Sequence, residues 1–132
     1  MSIDRETTAR PGLEVHDDSI RFGSDTLVAK LREILGAKLV AYIGDVAHTR
    51  LVREWANGDR EPSAEIVQRL RVAYHAAGLL NEREGKATVQ SWFRGSNPQL
   101  DDKAPARLLR VESLDVVGPR VVAAARAFLS AG

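Results

Sequence analysis

Two prolines, Pro98 and Pro105, sit within the stretch WFRGSNPQLDDKAPARLLR that runs from Trp92 to Arg110, and they leave the backbone few choices there. Pro98 has no N–H to donate and holds Asn97 extended, so the helix that carries Trp92 and Phe93 must stop near Gly95. Pro105 suits the first turn of a new helix, where a missing N–H costs nothing. The pair therefore predicts a tight helix-loop-helix corner with Leu100 tucked beneath it.

The rest of the chain reads as helices around that corner. Residues 1–23 mix Thr, Pro, Gly and Asp with few apolar groups and no sustained period, and are expected to form a flexible arm, with Ile20 and Phe22 as its only anchors. Ser24 is placed as the N-cap of a first helix, Asp25 to Leu35, in which Leu27, Leu31 and Leu35 recur every fourth residue and Gly36 ends the run. Lys38 to Ile43 gives a second short helix ended at Gly44-Asp45, and Ala47 to Asn57 a third, with Val52 and Trp55 inward and Gly58 as its C-cap. Pro62 is taken to open a long helix, about Ser63 to Gly78, carrying Ile66, Leu70, Ala73, Ala77 and Leu80 at three-four spacing. Tyr74 beside that stripe reads as a core or dimer contact and His75 as solvated. After the turn NEREG come a helix from about Gly85 to Arg94, the corner, and a helix from Pro105 to Val111. Leu114 to Gly118 is then assigned to a turn, and a final helix is assigned to start at Pro119.

Several kinds of chemistry are disfavoured. The absence of Cys rules out disulfides, thiol nucleophiles and thiolate metal sites, and suits a reducing cytoplasm. No apolar run approaches the roughly 20 residues of a membrane span, and Met1 to Arg10 lacks an apolar signal core, so a cytoplasmic protein without membrane contact is expected. No Ser, His and acid stand in a recognisable triad motif, and no His pair has metal spacing. Gly85-Lys86-Ala87-Thr88 lacks both the earlier glycine and the strand of a phosphate loop. An enzyme, a metal and a cofactor are accordingly not expected.

Two short helices joined by a Gly-containing turn, the second ending Trp55-Ala56-Asn57-Gly58, resemble the helix-turn-helix of Xre-type repressors, with the phrase REWANGDREPS as the best match. In that motif the turn and second helix carry DNA contacts. Helical spacing puts Thr49, Arg50, Arg53 and Asn57 opposite Val52 and Trp55. Arg50 and Arg53 suit guanine edges or phosphates, Asn57 a base edge or the backbone, and His48 and Thr49 phosphate. The same charges would also keep an ordinary surface helix wet. Gly44 stands further from Trp55 than the usual turn glycine, and Asp45 adds a negative charge facing the DNA backbone. A net charge of +1 with no basic tail leaves one copy too little positive charge for tight binding, so DNA contact implies a homodimer or larger complex.

The order Trp92, Asn97-Pro98, Leu100, Asp101, Pro105 and Leu108-Leu109 resembles the toxin-binding domain of the Xre/MbcA/ParS-like antitoxins, partners of RES-domain toxins, and with the preceding region the likeness covers about residues 25–132. Two positions depart from it: Asp102, where a Gly is expected, and Ala104, where Ser or Thr usually precedes the Pro. The resemblance implies an all-α chain with an N-terminal Xre-like helix-turn-helix bundle over 24–80 and a small helical toxin-binding domain over 81–132. It further implies an antitoxin that binds a NAD-consuming RES toxin through Trp92, Asn97, Pro98, Leu100, Arg126, Phe128 and Leu129, occludes the toxin's active site with the C-terminal region, and binds operator DNA to repress its own operon. In the alternative, a stand-alone helix-turn-helix transcription regulator, the corner only packs or dimerises.

Overall fold

The computed structural model describes residues 23–131, and among them all regular structure is helical, apart from one isolated bridge between Asn97 and Lys103. The segment read as an N-terminal arm, including Ile20 and Phe22, lies outside the described residues. The elements are α1 (Ser24–Leu35), α2 (Ala37–Gly44), α3 (Thr49–Asn57), α4 (Ala64–Asn81), α5 (Lys86–Arg94), a 3-10 turn (Pro98–Leu100), α6 (Pro105–Val111) and α7 (Leu114–Ala131). None of the described helices is long and apolar enough to cross a membrane.

One apolar cluster joins every helix. Leu27, Leu31, Ile43, Val52, Leu70, Phe93, Leu109 and Val121 all belong to it, so residues on both sides of the α4–α5 turn share one core. The 18-residue α4 makes this possible, packing against α1 on one side and α7 on the other. Tyr74 is accordingly buried, and His75, expected to be solvated, is half-buried with Nε2 enclosed because its helix is covered from both directions.

Several helix ends differ from the expected ones. Gly23, extended at φ −65° and ψ 166°, caps α1, and Ser24 is its first helical residue, with its hydroxyl 3.4 Å from Glu61 Oε2 rather than on a backbone N–H. The start of α3 falls at Thr49, since Ala47 and the extended His48 belong to the turn. Ser63 caps α4 by accepting from Ile66 N at 3.2 Å, which leaves Pro62 ahead of the helix. That helix passes Gly78 and ends at Asn81, because Gly78, Leu79 and Leu80 are all buried and apolar packing outweighs the weak helix preference of one glycine.

The largest correction concerns Pro119, which lies inside α7 rather than at its start. The helix begins at Leu114, where Val116 N and Val117 N donate to Ser113 O at 3.1 and 3.0 Å. Pro119 forfeits one backbone hydrogen bond. Val117 and Gly118, both buried, hold the first turn in place, and Gly118 sits against Val72 of α4.

The corner forms as the prolines predict. Pro105 is the first residue of α6, and Leu100 is 1% exposed. Asn97 ties the loop together: its side chain accepts from Gln99 N at 2.9 Å and its carbonyl accepts from Leu100 N and Asp102 N at 2.8 and 2.9 Å. Its own N–H donates to Lys103 O at 3.2 Å.

Both departures from the family pattern have a physical consequence here. Asp101 and Asp102 are left-handed, at φ 57° and 62°, a conformation that costs a side chain energy and glycine almost nothing. Asp101 recovers some of this through Arg120, 3.1 Å from its carboxylate. Asp102→Gly is therefore expected to stabilise the fold by about 0.5–1 kcal/mol, read as a raised denaturant midpoint at constant slope. Ala104, at φ −76° and ψ 135°, has the backbone of an N-cap and no side chain to serve as one. Ala104→Ser should add about 1 kcal/mol and raise the melting temperature by a few degrees; an unchanged melting curve would mean that water already satisfies the first turn of α6.

Candidate functional site

Two surfaces carry the residues singled out from the sequence. The first is built by α2, α3 and the four-residue turn between them, Asp45 to His48. The left-handed residue of this turn is Asp45, at φ 61°, one position after the glycine, so the chain reverses without a glycine at the critical φ. Gly44 instead lies against Trp55 and Ile66. The last carbonyls of α2 are held from two directions: Arg69 Nη1 donates to Ile43 O at 3.0 Å, and Arg110 Nη1 to Tyr42 O at 3.1 Å.

On α3, Val52 and Trp55 are buried, while Thr49, Arg50, Arg53 and Asn57 are all exposed, as is His48 at the cap. Arg50 lies 3.6 Å from Glu54, which also accepts from Arg60 at 3.1 Å. Exposed pairs of this kind contribute at most about 1 kcal/mol, so Arg50 can exchange this carboxylate for another anion. A shallow hollow of about 540 Å³ is lined by Lys38, Ala47, His48, Thr49 and Arg50. Asp45 does not stand as a bare negative charge, because Arg110 Nη2 is 2.8 Å from its carboxylate. Nothing in the sequence linked these two residues.

The second surface is a groove of about 310 Å³ between the corner and α7, with Trp92, Asn97, Pro98 and Gln99 on one wall and Ala124 and Phe128 on the other. It brings together four of the seven residues assigned to toxin binding: Trp92, Asn97, Pro98 and Phe128. The other three do not line it. Leu100 is enclosed beneath the corner, Leu129 packs against the core, and Arg126 is exposed on α7 outside the groove. The small residues Ala124, Ala127 and Ala131 keep the groove open on the α7 side, a wall that sequence reasoning missed. Their spacing of three and four residues is the signal that could have found it.

Phe128 is 40% exposed, a large aromatic only half covered in the isolated chain. Trp92 stacks edge-on against Phe93, with ring centroids 5.0 Å apart and planes at 82°. Among the described residues its indole Nε1 has no hydrogen-bond partner, which is uncommon for an enclosed donor. Among the described residues no group of three His, Cys, Asp or Glu side chains is arranged to hold a metal ion.

No protein-family model matches the sequence, and no curated protein does. Among solved structures, the fold is similar to a chain of the M. tuberculosis MbcT-MbcA toxin-antitoxin complex, with a TM-score of 0.65 and 28% sequence identity, over 81% of this chain and 94% of that one.

Proposed function

We propose that the chain is the antitoxin of a type II toxin-antitoxin system, acting in the cytoplasm by binding rather than by chemistry of its own. The observation that carries this reading is the likeness, over nearly the whole length of the other chain, to a component of a toxin-antitoxin complex. The order of residues at the corner, from Trp92 to Leu109, agrees with it. In this reading residues 81–132 bind a RES-domain, NAD-consuming toxin. The groove between the corner and α7 receives an apolar element of the toxin, and the C-terminal part of α7, with Phe128 at the groove and Arg126 and Leu129 beside it, covers the toxin's active site. Inhibition then consists of keeping the dinucleotide out.

Co-expression with the product of the neighbouring gene, and with a RES-domain toxin, tests the proposal. Growth arrest by the toxin alone, relieved by this protein, is the expected result. Arrest that persists in its presence would overturn the reading.

A second activity is favoured by α3. Its four exposed polar residues, the braced turn and the neutralised Asp45 suit a helix that enters the major groove of operator DNA, with two or more copies supplying the necessary charge. In this assignment residues 24–80 repress the operon. Should the toxin assay fail, this activity alone would describe a transcription regulator.

A further inference from the structure

A second groove of about 310 Å³ opens where α2, α5 and α6 meet. Three cations, Lys38, Arg94 and Arg107, stand around a floor that includes Leu39, Phe93 and Ala106, and no carboxylate lines it. All three are exposed, and among the described residues none makes an ion pair. Among the described residues, Arg50, Arg60, Arg69, Arg110 and Arg120 do have carboxylate partners. Three unpaired like charges around one apolar hollow repel one another, and an anion seated among them removes that cost.

The shape of the basic surface indicates which anion. Lys38 also lines the hollow at the start of α3, beside His48, Thr49 and Arg50, so the two hollows adjoin and share one cation. Asp45, in the turn that follows α2, is held by Arg110, whose guanidinium also lies 4.5 Å over the Tyr42 ring. A single small anion would fill one hollow. A surface that spans both fits a linear polyanion.

We propose that Lys38, Arg94 and Arg107 hold the phosphate backbone of double-stranded DNA beside the segment read by α3. The inference rests on the DNA-binding reading of α3 and extends it to the second half of the chain. Guanidinium groups suit this task, since each can meet two phosphate oxygens at once. Helix α5 then faces two partners: Trp92 borders the corner groove, while Phe93 and Arg94 border the basic one.

The test uses the full chain and two labelled duplexes of equal length, one from the promoter region immediately upstream of its own coding sequence and one of random sequence. The variants are R94Q/R107Q and R50A/R53A, with anisotropy measured across a salt series and circular dichroism melts to establish folding. R94Q/R107Q is expected to weaken binding to both duplexes roughly 10- to 100-fold near 0.1 M salt, and to reduce the slope of log K against log salt by about 2 per bound protomer. R50A/R53A should instead erase the preference for the promoter duplex. Promoter binding by the wild type that R94Q/R107Q leaves unchanged, in strength and in slope, would overturn the inference and spare the reading of α3. The same holds if R94Q/R107Q weakens only the complex with the toxin. No binding of either duplex by the wild type would overturn both.

Discussion

Phe93→Ala should cost about 3–5 kcal/mol, the range for truncating a fully enclosed aromatic. Phe93 is 0% exposed, packs edge-on against Trp92 and underlies the junction of α5 with α2 and α6. Its loss would leave a cavity where the two halves of the chain meet, and α4 and α5 could not close over it without breaking the corner. A domain of this size has about 5–15 kcal/mol in all, so a large part of its stability depends on one ring. The melting temperature should fall on the order of 10–25 °C, with one transition seen by both far-ultraviolet circular dichroism and tryptophan fluorescence. Trp55 reports from the α3 side and Trp92 from the corner, so two separate transitions would show that the halves unfold independently and that the shared core is not cooperative.

Phe128→Glu should leave the fold nearly intact and weaken the toxin complex by about 2–4 kcal/mol, roughly 30- to 1000-fold in Kd. The ring is half exposed at the lip of the corner groove, so its removal opens no cavity. Against a toxin, however, it is the one large aromatic on the α7 wall, and a carboxylate there would be buried without a counter-charge. Titration of the toxin by calorimetry measures the effect, with a melting curve as the control for folding. Affinity within twofold of the wild type would remove this groove from the interface.

What the sequence revealed and what it withheld follow from distance along the chain. The corner was legible because Asn97, Pro98, Leu100 and Pro105 act on one another across a few residues through fixed φ angles and local hydrogen bonds. The exposed face of α3 was legible for a similar reason: helical period alone separates Arg50 and Arg53 from Val52 and Trp55. Pro119 misled, because its local preference for a first turn competes with the burial of Val117 and with the packing of Gly118 against Val72, some 45 residues earlier. The basic groove was invisible, since Lys38, Arg94 and Arg107 come from three helices with no shared period. So was the pairing of Arg110 with Asp45, which turns an apparent obstacle to DNA into a neutral pair. Asp102 is intermediate: its departure from an expected glycine was readable, and the left-handed φ of 62° gives the reason for that glycine.

Asn97 joins Gln99, Leu100, Asp102 and Lys103 through four hydrogen bonds, and so ties the corner together without help from a partner. If this wall meets the toxin as proposed, it loses little conformational freedom on association, which removes one of the costs set against the contact free energy. Encounter needs no slow rearrangement on this side, and lifetime rather than arrival would distinguish a strong toxin from a weak one. A change that only loosened the loop, without removing any atom from the interface, would then weaken the complex through entropy alone.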